Sequence, residues 1–414
     1  MMARAPSSFV SDARLWDRLQ SLAQFGATPL GGVNRQALSA EDTEAQLALV
    51  EWGQALGLEA SRDDAGNLFL RLQGTDPDAA PVLSGSHLDS QPTGGRFDGA
   101  YGVMAALEAV QAILESNVKP RRAIDVVAWM NEEGSRFAPG MMGSAVFAGD
   151  RTLEQTLLVR DAEGLSVGEA LAAQQAHLAH VLKRTLGHPV HAYVEAHIEQ
   201  GPVLEREGYP VGIVTGIQGK HTFQVLVTGE AAHAGTSRRC ERKDALLAAT
   251  AMVQGLAAAL HDDADVTRFT VGRLDVLPNA PSVVASQVEF SIDLRHPDSA
   301  TLRALGAMVD SICQAYRGPC SVQVHRLSAA DSLRFPPHMC EQAAAIAKRL
   351  QIATRELPSA AGHDARYLHK VTPSAMLFVP CHLGITHNEA ESATPSDLAA
   401  GTRVLADWLL ELAS

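Results

Sequence analysis

The chain has no C-x-x-C pair, and its five cysteines (Cys240, Cys313, Cys320, Cys340, Cys381) are odd in number and spread through 414 residues. That excludes a disulfide framework and a structural thiolate zinc site, and it makes a reducing cytoplasm the expected location. The opening MMARAPSSFVSDARLWDRL carries a charge every few residues and lacks the run of about 7–15 apolar residues of a secretion signal. The longest apolar stretch, LLAATAMVQGLAAAL (246–260), is broken by Gln254 and Gly255. It is shorter than the roughly 20 residues of a membrane span and reads as a packed helix. An excess of positive charge is also missing. Lys and Arg number 34 against 47 Asp and Glu, a net charge of −13. Such a surface repels phosphate backbones and anionic headgroups, so neither nucleic acid nor membrane is expected as a partner. No repeat, low-complexity tract or G-x-G-x-x-G after the first strand is present, which argues against a solenoid and a dinucleotide site.

What remains is a foldable chain, 46% apolar and 20% charged, long enough for two domains. From 67 to 202, short β-rich runs (LFLRL, PVLSGSH, RAIDVVAWMN, HAYVEAHIEQ) alternate with helical stretches such as 99–118. This predicts an α/β domain with a mixed, mostly parallel sheet. From about 220 to 328 the order becomes β-α-β-β-α-β, the ferredoxin-like split βαβ motif. A helix at 339–350, the strand SAMLFVP and a helix at 395–412 then return to the first sheet. The expected division is therefore a discontinuous catalytic domain, 1–215 and 329–414, with an inserted domain at 216–328.

Five segments, behind four strands, place metal-ligand side chains at or just past strand ends. In Gly85-Ser-His-Leu-Asp89, His87 and Asp89 share a face, so the carboxylate can orient the imidazole. In Gly94-Gly-Arg-Phe-Asp-Gly99, Asp98 stands at a helix entry; alone it fits a metal-bridging carboxylate or an N-cap in a solvated turn. In Trp129-Met-Asn-Glu-Glu-Gly134, Glu132 and Glu133 point apart, so one can bind metal while the other moves a proton; the bland reading is a polar turn. In Tyr193-Val-Glu-Ala-His-Ile-Glu-Gln-Gly201, His197 is flanked by acids on one face. In Gly384-Ile-Thr-His-Asn-Glu-Ala-Glu391, His387 follows a strand. Taken together, His87, Asp98, Glu133, His197 and His387 form a nitrogen and oxygen donor set without thiolate, suited to Zn²⁺, Mn²⁺, Co²⁺ or Ni²⁺. One shared carboxylate plus two ligands per ion makes a two-metal hydrolytic site, and Glu132 is left as general base.

The stretches GSHLDSQPTGGRFDGAYGV, NEEGSRF, EAHIEQGPVLE, GEAAHAGTSRRCERKDAL, PNAPSVVASQVEFSIDLR, SAAGHDA and GITHNEAE resemble, in order and over nearly the whole chain, the M20 metallopeptidase clan. The likeness is to its amidase branch of N-carbamoyl-L-amino acid hydrolases, β-ureidopropionases and allantoate amidohydrolases. The resemblance implies a di-metal aminopeptidase-like domain in which Asp98 bridges two ions. One ion would be completed by His87 and His197, the other by Glu133 and His387, with Glu132 as acid and base. Peptidases of the clan usually carry a carboxylate where His197 stands, which favours the amidase branch.

The resemblance also implies that the inserted domain is a lid and dimerisation domain of a homodimer. It assigns His233 to the scissile carbonyl oxygen, sometimes across a dimer interface, and Arg295 to a substrate carboxylate. Strand alternation in SQVEFSIDLR independently turns Arg295 outward, where it can equally be a solvated arginine. Gln200 and Asn279 offer neutral hydrogen bonds to a ureido or carboxylate group, or serve as turn residues. The implied partner is a small carboxylate-bearing ureido compound. The implied reaction is hydrolysis of N-carbamoyl-L-amino acids or N-carbamoyl-β-alanine to amino acid, CO2 and ammonia. Rival readings are an allantoate amidohydrolase, a clan peptidase or deacylase, and a non-catalytic metal-binding scaffold. SRRCERKDAL departs from the family's usual Pro and Met before the basic residues, which implies an altered pocket or closure. Gly362-His363-Asp364 matches the family without a defined role, and His177, His180, His188 and His191 read as solvated.

Overall fold

In the computed structural model, which describes residues 4–414, the chain divides into two compact units. One runs up to Thr215 and resumes at Phe335–Ser414, and the other is Gly216–Arg334. The second unit ends a few residues past 328 because strand Ser321–Ala330 continues that far and Leu333–Arg334 then pair with Gly216 and Ile217.

The first unit is built on a mixed sheet. Its centre is four mutually parallel strands in the spatial order Ile124–Trp129, Val82–His87, Ala192–Ile198, Ser374–Val379. Antiparallel strands flank them, Leu68–Leu72 against Ile124–Trp129 and Val211–Ile217 against Ser374–Val379. All four central strands are buried from end to end, which is why they read as continuous apolar runs and not as alternating ones. Helices Ala100–Glu115 and Pro395–Leu412 pack on one another and on this sheet. The large polar aromatics within the core are satisfied. Trp129 Nε1 donates to the Tyr193 hydroxyl at 3.0 Å, and that hydroxyl lies 3.0 Å from the Gly85 carbonyl. Because the four strands are parallel, their C-terminal ends lie on one edge, and the segments following them are neighbours in space although they lie up to 300 residues apart in sequence.

The second unit has a sheet in which Gln287–His296 pairs antiparallel with Gly219–Thr228, which pairs with Ser321–Ala330. The first strand after helix Ala245–Ala259 in the expected β-α-β-β-α-β order is in two pieces, Arg268–Thr270 and Leu274–Leu277, both on the far side of Gln287–His296. Helices Ala245–Ala259 and Ser299–Tyr316 contribute Ala249, Met252, Leu256, Leu302 and Val309 to a core with Val225, Phe290 and Ile292. The alternation of Gln287–His296 is as read from the sequence, with Val288, Phe290, Ile292 and Leu294 buried. Among the described residues no helix is long and apolar enough to cross a membrane.

Candidate metal centre

His87 ends its strand and His197 is the penultimate residue of the neighbouring one, so their imidazoles emerge side by side at the sheet edge. They are 2% and 1% exposed. Each Nδ1 lies 2.9 Å from a backbone carbonyl, that of Asp89 for His87 and that of Ile198 for His197. This holds a proton on Nδ1 of each ring and turns Nε2 toward the cluster, where it can bind a cation once it carries no proton of its own. Both Nε2 atoms face Asp98 Oδ1, at 3.8 and 3.2 Å. The other carboxylate oxygen, Asp98 Oδ2, faces His387 Nε2 at 3.4 Å, and that nitrogen lies 3.3 Å from Glu133 Oε2. The five residues thus fall into two groups, His87–Asp98–His197 and Asp98–Glu133–His387. Within each, one ligand atom per residue lies within 4.8 Å of the others. Gly99 follows at φ +63°, and a Cβ there would stand 2.3 Å from the His87 ring, so only glycine lets Asp98 approach this closely.

Burial pushes Glu133 up to about 8, with the nearby Asp98 charge adding to the effect. Glu132 is raised well above the ordinary carboxylate range by burial and then by Asp364, Glu133, Asp89 and Asp98. Burial also works against the Asp98 charge, but hydrogen bonds from His197 and His387 outweigh it and hold this carboxyl well below its usual value. Burial lowers His87 to about 4, whereas for His197 the bond and charge of Asp98 overcome burial and lift it to about 9. A crowd of buried carboxylates with imidazole Nε2 atoms turned inward is a donor set that divalent cations fit: by displacing the Nε2 protons they would neutralise the acids and fill the gaps of 3.2–3.8 Å between ligand atoms. Glu132 belongs to neither group. Its Oε2 is 3.5 Å from His87 Nε2, beside the cluster.

The carboxylate of Asp89 has a different task from the one expected. The backbone carbonyl of Asp89, not its side chain, holds the His87 ring, and the nearest carboxylate oxygen is 3.8 Å from Nδ1. Its two oxygens instead accept the N–H groups of Glu132 and Glu133, both at 3.1 Å. After a strand end these amides have no ladder partner, and a buried carboxylate satisfies both. Arg35, buried, donates to the carbonyls of Leu88, Leu22 and Phe25 and braces the same segment. Gln200, expected at the substrate, has its Nε2 2.8 Å from Asp98 Oδ2, at the edge of the cluster.

The sequence left several contributors unassigned. Glu195 accepts from Ser86 Oγ and from the Ala365 N–H, and with His197 and His363 it forms a further buried group behind the ligands. Asp364 is bonded by Ser144 Oγ and stands near enough to Glu132 to raise it. Gln91 Nε2 holds Glu133 Oε2 at 2.9 Å. Thr386 and Glu391 surround Asp98. Glu195 carried a signal, being two residues before His197 on a strand; the others gain a role only through contacts across the sheet edge. His188 corrects the solvated reading: its side chain is 11% exposed, packed against Phe69 and Phe147 and 3.9 Å from the buried Asp125. The acid partner comes from strand Ile124–Trp129, far away in sequence and beyond the reach of local spacing.

The remaining candidates lie in the second unit. His233 is exposed in a two-residue bridge with Val283 and Val284, and its Nδ1 accepts the N–H groups of Gly235 and Thr236 at 3.0 and 3.2 Å. Its ring proton therefore sits on Nε2, available to donate. Asn279 is exposed in the turn after Leu277, at φ +53°. Arg295 lies on the polar face of its strand, with its guanidinium on both oxygens of Asp293 at 2.8 and 3.1 Å.

A mixed α/β sheet with an inserted ferredoxin-like unit, and a ligand cluster along one edge, defines the class. Residues 83–411 match the profile of Peptidase family M20/M25/M40, and the chain belongs to that family of hydrolases. It is 38% identical to an N-carbamoyl-L-amino-acid amidohydrolase of Rhizobium meliloti, over 100% of this chain and 99% of that one. It is 34% identical to an allantoate amidohydrolase of Bacillus subtilis (strain 168), over 96% and 97%. A solved amidase of the hydantoinase/carbamoylase family from Burkholderia multivorans aligns over 98% of each chain with a TM-score of 0.89 and 40% identity.

Proposed function

We propose that the protein is a two-metal amidohydrolase that cleaves the carbamoyl C–N bond of N-carbamoyl-L-amino acids or N-carbamoyl-β-alanine, releasing amino acid, CO2 and ammonia. The observation that carries this reading is the placing of Asp98, with one oxygen toward His87 and His197, the other toward His387, and Glu132 left over beside them. The amidohydrolase relatives support the C–N bond chemistry, and the imidazole at His197, in place of a carboxylate, favours the amidase branch. Bound divalent ions supply Lewis acidity that makes water nucleophilic near neutral pH. Glu132 takes the proton of the attacking water and passes it to the leaving nitrogen, a step its raised proton affinity suits. His233, through Nε2–H, stabilises the developing oxyanion, while Gln200, Asn279 and Arg295 hold the polar ends of the substrate.

A homodimer belongs to this reading for a reason internal to the second unit. Leu277, two residues before Asn279, pairs with Gln287, whereas Arg295 pairs with Lys220 at the opposite end of the same sheet. The stretch of strand between Gln287 and Arg295 is roughly 27 Å long. His233 lies at the Asn279 end, its loop bonded to Ser282 and Val283. One small molecule cannot touch both ends, so Arg295 from one chain and His233 with Asn279 from a second copy would serve one substrate.

Allantoate is the second candidate substrate, favoured by the allantoate amidohydrolase relative. The deciding test is ammonia release from N-carbamoyl-L-amino acids, N-carbamoyl-β-alanine and allantoate, after chelation and after adding back Zn²⁺ or Mn²⁺. Metal-dependent turnover of a carbamoyl amino acid in preference to allantoate is expected. Turnover of none of the three would reject the proposal.

A further inference from the structure

The two groups that share Asp98 are held in unequal ways. His87 and His197 sit at the ends of core strands, almost without exposure, each pinned through Nδ1 to a backbone carbonyl. His387 instead lies in a loop at φ +51° with its side chain 48% exposed, and among the described residues no hydrogen bond reaches its Nδ1. Its position depends on the turn that carries it.

That turn is tied to the backbone of the bridging ligand by Glu391, which is 1% exposed and has no Lys, Arg or His ion-pair partner among the described residues. Glu391 Oε1 accepts the N–H groups of Phe97 and Asp98 at 2.8 and 3.1 Å, and Oε2 lies 3.1 Å from Thr386 Oγ1. The same Thr386 hydroxyl, one residue before His387, is 2.7 Å from Asp98 Oδ2. Room for the carboxylate exists because residue 95 is glycine, where a Cβ would stand 2.0 Å from Glu391 Cδ. A buried carboxylate without a cation partner is costly, and here its hydrogen bonds all go to the two segments that bring Asp98 and His387 together.

Resting on the two-ion reading, we propose that Glu391 is a positioning residue that sets occupancy of the Asp98–Glu133–His387 position, by locking the His387 turn to the backbone of Asp98. The His87–Asp98–His197 position does not depend on it. The test is calorimetric titration of the chelated full-length protein with Zn²⁺ alone, together with metal content after dialysis. Wild type is expected to bind two ions per chain. In Glu391→Ala the second ion should bind about 10–100-fold more weakly, with the first unchanged. Thr386→Val, which removes one tie while keeping the bonds of Glu391 to the Phe97 and Asp98 N–H groups, should shift the second ion in the same direction. Glu391→Gln, which keeps an oxygen for the Phe97 and Asp98 N–H groups, should recover most of the lost affinity. Unchanged binding of both ions in Glu391→Ala and Thr386→Val, or equal weakening of both ions in folded protein, would overturn the proposal. A wild-type chain that binds only one ion would instead reject the two-ion reading beneath it.

Discussion

The two units carry their polar side chains in opposite ways. In the first, residues from four distant segments meet within a few ångströms because four parallel strands end on one edge. In the second, the candidates are parted along one strand, with Arg295 at one end and His233 and Asn279 at the other. On the proposed reading, the chemical centre is complete within one chain, whereas recognition of a small substrate calls for two.

The sharpest way to break this contrast is to damage the centre itself. Glu132→Gln should lower turnover by about 10²–10⁴-fold while both ions stay bound, read as ammonia release beside metal content. Turnover near the wild-type rate would remove Glu132 from proton transfer. Next in size are His233→Ala and Arg295→Ala, each expected to cut kcat/KM roughly 10–100-fold, with Arg295→Ala acting mainly on KM for carboxylate-bearing substrates. Unfolding and reassembling the two weakened variants together should restore about a quarter of wild-type activity, since about half the dimers are then mixed and half the sites of each mixed dimer hold neither defect. No recovery in mixtures would show that the two ends of the sheet do not serve one substrate. The smallest effect is expected for Asp89→Asn, which weakens the hold on the Glu132 and Glu133 amides: about tenfold lower kcat with KM little changed.

Much of this was legible in the sequence, for physical reasons. Fully buried parallel strands demand unbroken apolar runs, and AIDVVAWM and SAMLFVP supplied them; ligands at their C-terminal ends then followed from the topology. The alternation of 287–296 likewise set Arg295 on the polar face. Side chains whose meaning lies in contacts across the fold were less readable. Nothing near Asp89 announces that its carboxylate will hold two amides some forty residues away. Nothing local places His188 beside Asp125, or Glu391 against the backbone of Asp98. The pairing of Arg295 with Asp293 escaped for another reason: two residues on one strand face were each read singly.

A two-ion centre requires Asp98 to serve two cations at once. Crystals of the zinc-loaded protein, measured at the zinc absorption edge, test it directly. The expected result is two anomalous peaks about 3.5–4 Å apart, one against His87 and His197, the other against Glu133 and His387, with Asp98 between them. A single peak, or zinc bound away from Asp98, would contradict it.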